Sequence, residues 1–293
     1  TVTFKVIGDA EVNITNYTQL VQAIANATRE EYNIYKINLQ PGDYNATTSI
    51  NWENSATKKI IINGNNNTLN GQNTHQFIKI NSGHNLTLEN ITITNYTNSS
   101  GGAIYNQGIL TVTDATFTNN TANTGGAIYN YYGLLTITNT RFKNNQINKY
   151  GGAIFNYNGY LTITNSQFLN NQAFDGIGGA ICDDSANKLT NIISSNFINN
   201  TASNGAAINA LGWINLTNNT FKQNTATNNT ETIDLNSWLN GIHEDNIYES
   251  TDIALNEIKL TIKDDQDTFQ QDEDIILNYT IQLTNSMYYW DFE

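Results

Sequence analysis

The chain has 293 residues, a net charge of −13 from 13 basic and 26 acidic side chains, and one cysteine, Cys182. This balance argues against nucleic acid or an anionic membrane surface as a partner; a lone cysteine excludes an intrachain disulfide framework, and no apolar run approaches membrane-spanning length. Asparagine supplies 52 residues, yet 39% of the chain is hydrophobic and the 31 aromatic residues recur on a regular beat, as in a folded protein with a polar coat.

The first predicted element is a helix over residues 18–30. Leu20, Val21, Ile24 and Ala27 lie on one stripe and Thr18 is its N-cap, which makes residues 1–33 an N-terminal cap. Residues 37–47 then open the first coil of a repeat, turning at Pro41-Gly42. A chain that begins at Thr1 without an initiator Met or signal peptide and ends in YYWDFE reads as a piece excised from a longer one. Its 15 Asn-x-Ser/Thr sequons, Asn13, Asn45, Asn85, Asn119 and Asn218 among them, suggest a glycosylated extracellular protein.

The repeat dominates the rest. GGAI begins at Gly101, Gly125, Gly151 and Gly178 and weakens to GAAI at Gly205. LTVTDATF (110–117), LTITNTRF (135–142) and LTITNSQF (161–168) keep the same beat, with weaker copies at 189–197 and 214–221; counted from Ile60 the steps are 26, 24, 25, 26, 28 and 25 residues. Phe117, Phe142, Phe168, Phe197 and Phe221 are each followed three positions later by Asn. Short alternating runs at this period are strands, and the economical solution is a parallel β-helix with one coil per unit. It predicts about eight coils over 34–245, with an inward Leu/Ile face, an internal Phe ladder and asparagines at the corners. The glycine before each LTIT strand (Gly108, Gly133, Gly159, Gly212) is read as a turn needing positive φ or close backbone approach. Residues 246–293 hold two more alternating runs, at 255–262 and 275–283, either a C-terminal β cap or the start of a following module.

GGAI paired with FxxN resembles the polymorphic outer-membrane protein repeat of bacterial surface adhesins, and the Asn- and Thr-rich adhesin-like proteins of methanogenic archaea. The match covers roughly 101–224. The resemblance implies an all-β, right-handed parallel β-helix (solenoid). It also implies a cell-surface or cell-wall adhesin or stalk module, not an enzyme, that binds a glycan or a surface protein of another cell. Two other readings stand beside it: a polysaccharide-active lyase or glycosidase, and a spacer that binds nothing.

The candidate sites follow from the alternation. With Ile104, Ile128 and Ile154 inward, Tyr105, Tyr129 and Phe155 point outward, one per coil, near Tyr131, Tyr132, Tyr157, Tyr160 and Trp213. Such a stripe either binds sugar rings or a protein, or packs under its neighbours. No catalytic residue and no required cofactor is expected. Asp175, Asp183 and Asp184, in the long fourth GGAI unit, form either a weak calcium or carboxylate site or an acidic outer loop. The acidic group Asp265, Asp267, Asp272, Glu273 and Asp274 lacks EF-hand spacing and reads as a solvated linker.

Overall fold

The computed structural model describes residues 8–29, 32–52, 59–228, 233–235 and 243–248, and the strand backbones 258–262, 279–283 and 289–291. Two compact units divide the chain, Thr1–Asp252 and Ile253–Glu293. The acidic group at 265–274 lies outside the described residues. The second unit is a three-stranded antiparallel sheet of Ile258–Ile262, Tyr279–Leu283 and Tyr289–Asp291.

The first unit is a parallel β-helix. A representative coil runs Leu134–Thr138, Arg141–Lys143, Gln146–Tyr150 and Ile154–Tyr157. Every strand pairs in parallel with its counterpart one coil on: Leu135 with Leu161, Phe142 with Phe168, Ile154 with Ile181. The GGAI strands stack into an eight-stranded sheet, the LTIT and Phe strands merge into an 18-stranded sheet, and a short five-stranded sheet lies between the Phe and GGAI stacks. Leu110, Leu135 and Leu161, Ile104, Ile128 and Ile154, and the phenylalanines are fully buried inside. Phe117, Phe142, Phe168, Phe197 and Phe221 stack with centroids 5.0, 4.9, 4.8 and 5.0 Å apart.

The asparagines divide the work at the corners. One set takes left-handed backbone, for example Asn139 and Asn165 after LTIT and Asn144 and Asn170 after the Phe strand, where φ lies between 49° and 54°. Asparagine tolerates that region better than other non-glycine residues because its amide bonds the local backbone. A second set, Asn120, Asn145, Asn171, Asn200 and Asn224, turns inward and forms a ladder in which each Nδ2 donates to the next Oδ1 at 2.9–3.0 Å. The GGAI pair is divided too. Gly151 sits at φ +67°, whereas a Cβ on Gly152 would lie 1.9 Å from the Gly179 carbonyl oxygen of the next coil. The glycines before LTIT serve close approach rather than positive φ, which falls instead on the preceding Tyr132 and Asn158.

Three expectations are corrected. The helix is Tyr17–Arg29, and its N-cap is Asn16, whose Oδ1 accepts the Gln19 N–H at 2.9 Å. It follows a strand, Ala10–Asn16, that pairs in parallel with Ile34–Asn45, so the chain turns into the helix two residues earlier than Thr18 would require. The helix packs on these strands through Tyr17, Leu20, Ala23, Ile24 and Ala27, with Val21 only half-buried. The repeat also slips by one residue in the coil after Gly178. Thr190, not Leu189, aligns with Leu161, so Leu189 turns outward and Thr190 enters the interior.

Candidate functional site

The GGAI strands end at a corner where the chain turns into LTIT, and the outward side chains there are aromatic. Tyr105, Tyr129 and Phe155 are in register on successive coils, and Tyr131 and Tyr157 form a second column two residues on. The rings are in contact: Tyr129 with Phe155 at 5.0 Å, Tyr131 with Tyr157 at 5.5 Å and an interplanar angle of 5°, Tyr105 edge-on to Tyr129 at 5.2 Å. Tyr132 stands across Tyr131 and Tyr157 at 77° and 74°, and Tyr160 opens the following strand. Phe155 is only 6% exposed, capped by the Tyr150 ring at 5.2 Å. It is a floor, not a contact surface. Trp213 lies two coils beyond Tyr160 along the same corner.

Two lysines border this face. Lys79 precedes Tyr105 in the same column, its Nζ 5.7 Å from the ring centre. Lys188 reaches over Tyr160 at 4.6 Å and Tyr132 at 5.8 Å and donates to the Asn158 carbonyl. Burial raises the pKa values of the Tyr105 and Tyr129 hydroxyls, with neighbouring tyrosines and, for Tyr129, Asp184 adding to it. Both stay protonated through the neutral range and are available as donors.

Tyr132 carries a further signature. Its φ is +58°, a region that costs a bulky residue roughly 1–2 kcal/mol. The equivalent position one coil on holds Asn158 at +48°. The side chain is 56% exposed, so its ring contacts with Tyr131 and Tyr157 are made at the surface.

The acidic candidates do not come together. Asp183 and Asp184 are consecutive in Ile181–Asp184 and point to opposite faces. Asp184 is half-buried on the outside above Tyr157 and Asp175 is exposed in a loop; among the described residues no cluster of three metal-type ligands forms. Asp183 is fully buried and ends an interior ladder: Asn106 donates to Asn130 (2.7 Å), Asn130 to Asn156 (2.7 Å) and Asn156 to Asp183 Oδ1 (2.8 Å), which Ser185 also serves. A carboxylate fits that end because it only accepts; its Oδ2 and the Oγ1 of Thr190 make no well-formed hydrogen bond, although Thr190 lies near enough to favour the charged form alongside Ser185 and Asn156. Cys182 is buried, and burial pushes the pKa of its thiol up.

Burial also raises the Asp183 carboxyl above its ordinary value. The unfolded chain therefore loses this proton first, and stability falls as pH rises from the ordinary carboxylate value to the raised folded one. Asp183→Asn removes that loss. The variant is expected to be about 1–3 kcal/mol more stable than the parent at neutral pH, the gap closing towards about pH 3. Urea unfolding across pH checks this; a gap independent of pH would show that the native carboxylate is not destabilised by burial.

The sequence reading missed Ile109, Leu134 and Leu189. Each is the residue before the first inward position of its strand, is 38–41% exposed, and shares a column with Tyr160 and Trp213. An apolar residue at an outward position was the available signal.

The right handed beta helix region family matches residues 76–247, more than half of the chain. This chain belongs to the right-handed β-helix family. No curated protein matches it. Among solved structures the β-helix is similar to pectate lyase Bsp165PelA from Bacillus sp. N165 in complex with trigalacturonate, at 15% identity, 82% coverage of each chain and a TM-score of 0.48. A likeness at that level concerns the fold alone. The expectation of a non-enzyme is corrected on the family match: a right-handed β-helix is a scaffold and gives no ground for setting catalysis aside. The attributions to adhesins and to archaea are corrected with it: the family match is to the right-handed β-helix region and supports neither. Among the described residues no helix is long and apolar enough to cross a membrane.

Proposed function

We propose that this β-helix protein engages a polysaccharide, in an extracellular setting, through the aromatic corner. The observation that carries the reading is Tyr132, a half-exposed ring kept in left-handed backbone beside an ordered cluster of outward tyrosines. Rings on a rigid sheet offer apolar faces to sugar C–H groups, while protonated tyrosine hydroxyls and lysine ammonium groups serve the hydroxyls and any carboxylates.

Calorimetric titration of the purified protein with a panel of plant, microbial and host polysaccharides tests it. Tyr157→Ala is expected to weaken the bound polysaccharide about 5–10-fold, equivalent to roughly 1–1.4 kcal/mol. Tyr132→Asn separates function from packing: it should stabilise the fold by up to about 1 kcal/mol while weakening binding by a similar factor. A destabilised Tyr132→Asn with unchanged binding would assign the ring to packing, and no binding to any polysaccharide would sink the proposal.

One observation favours turnover as a second reading. Asp184 follows Tyr157 in register, and Lys188 lies over Tyr160 at the same end of the corner. A carboxylate base and an ammonium group beside a bound uronide are the elements of proton abstraction and β-elimination. Following the titrated polymers for unsaturated uronyl ends, and their loss in Asp184→Asn, decides it.

A further inference from the structure

The corner contains a line that the aromatic cluster alone does not explain. The first residues of five successive LTIT-stack strands are Ile109, Leu134, Tyr160, Leu189 and Trp213. All are apolar or aromatic, all face outward, and each is between 38% and 53% exposed. Alternation at an outward position calls for polar residues, and the outward positions two residues on obey it, with Thr111, Thr136, Thr162, Asn191 and Asn215. The outward positions four residues on are polar as well, Thr113, Thr138, Thr164 and Thr217, except for Ile193. Only the first column is apolar on every one of these coils, and the one-residue slip after Gly178 preserves it: it places Leu189 in the line and sends Thr190 inside.

The geometry points to a binding track for a linear polysaccharide lying along the β-helix axis, with one sugar residue over each coil; this rests on the polysaccharide reading above. Strand spacing fixes the step along the column at about 4.8 Å, close to the length of one pyranose residue in an extended chain. Five positions span four steps, roughly 19 Å on that spacing. The line is one side chain wide, with threonines and asparagines two residues along each strand. That width suits a single glycan chain rather than the broad patch of about 800 Å² that each partner buries in a stable protein interface. Tyr132 and Lys188, beside Tyr160, extend the track sideways at its middle coil. An acidic polymer would meet Lys188 there, and a neutral one the tyrosine hydroxyls.

The test is length dependence. The intact protein is titrated with cello-oligosaccharides and with oligogalacturonates of two to six residues, in parallel with the parent polymers. In the series that binds, affinity is expected to rise about 3-fold or more per added sugar up to about five and then level off. Leu134→Ser and Trp213→Ala, both at exposed positions, should cut the gain for penta- and hexasaccharide about 3–10-fold while leaving the disaccharide within 2-fold. Disaccharides that bind as tightly as hexasaccharides would overturn the track but leave polysaccharide binding standing. So would long oligomers indifferent to Leu134→Ser and Trp213→Ala. No binding by these oligomers, together with none by any polysaccharide of the wider panel, would overturn both readings.

Discussion

Phe168→Ala is expected to cost about 3–5 kcal/mol, the range for emptying a buried aromatic site. Phe168 is fully buried between Phe142 and Phe197, its ring within 3° of parallel to both. The cavity cannot collapse easily, because both neighbours are fixed by parallel ladders on their own coils and closing the gap would require bending strands that are in register on either side. For a unit of this size each kcal/mol moves the melting temperature by roughly 2–4 °C, so the midpoint should fall by about 6–20 °C. Phe174→Ala, at a half-exposed loop position, should stay within about 0.5 kcal/mol. Coils of a solenoid interact chiefly with their neighbours, so the loss should show as reduced stability in calorimetry with binding at the corner retained in what remains folded. A melting point within 2 °C of the parent would mean that the Phe ladder follows from the repeat without stabilising it.

The sequence made most of this architecture legible because its period is carried by residues with single physical duties. Phe142 and Phe168 need an interior, Gly151 needs a positive φ, and Ile128 and Ile154 need the side opposite Tyr129 and Phe155; alternation then fixes the inside and outside of the GGAI strands together. Legibility failed where one residue type satisfied two registers. Leu189 looks like the inward Leu135 and Leu161, and only the longer turn after Asp183 shows that it is an outward residue one place early. At the helix start, Asn16 and Thr18 are both good caps, and the strand Ala10–Asn16 decides between them. Asp183 and Asp184 read as one acidic site, although neighbours in a strand cannot share a face. Of the candidate face, the tyrosine columns followed from alternation. The strain at Tyr132 did not, because a backbone angle depends on the turn and not on the residue named in it.

The adjacent pair Asn170-Asn171 should separate the two asparagine duties more sharply than any other site. Asn171 is fully buried: its Nδ2 donates to the Phe142 carbonyl (3.1 Å) and to Asn200 Oδ1 (3.0 Å), and its Oδ1 accepts from both the backbone N–H and Nδ2 of Asn145 (3.1 and 3.0 Å). Alanine there strips the Asn145 N–H, the Asn145 Nδ2 and the Phe142 carbonyl of these bonds inside the solenoid. Leaving buried groups unsatisfied costs about 1–3 kcal/mol each, so Asn171→Ala should lose about 3 kcal/mol or more. Asn170, exposed at φ +54°, is held for its backbone conformation and shares only side-chain amide bonds with Asn144 and Asn199. Glycine supplies the same φ without strain, so Asn170→Gly should stay within about 1 kcal/mol, whereas Asn170→Ala should cost roughly 1–2 kcal/mol from backbone strain alone. Urea midpoints of the three variants give the order Asn171→Ala, Asn170→Ala, Asn170→Gly from most to least destabilised. If Asn171→Ala fell beside Asn170→Gly, water would be replacing the lost amide, and the inward ladder would be a solvated channel rather than part of the core.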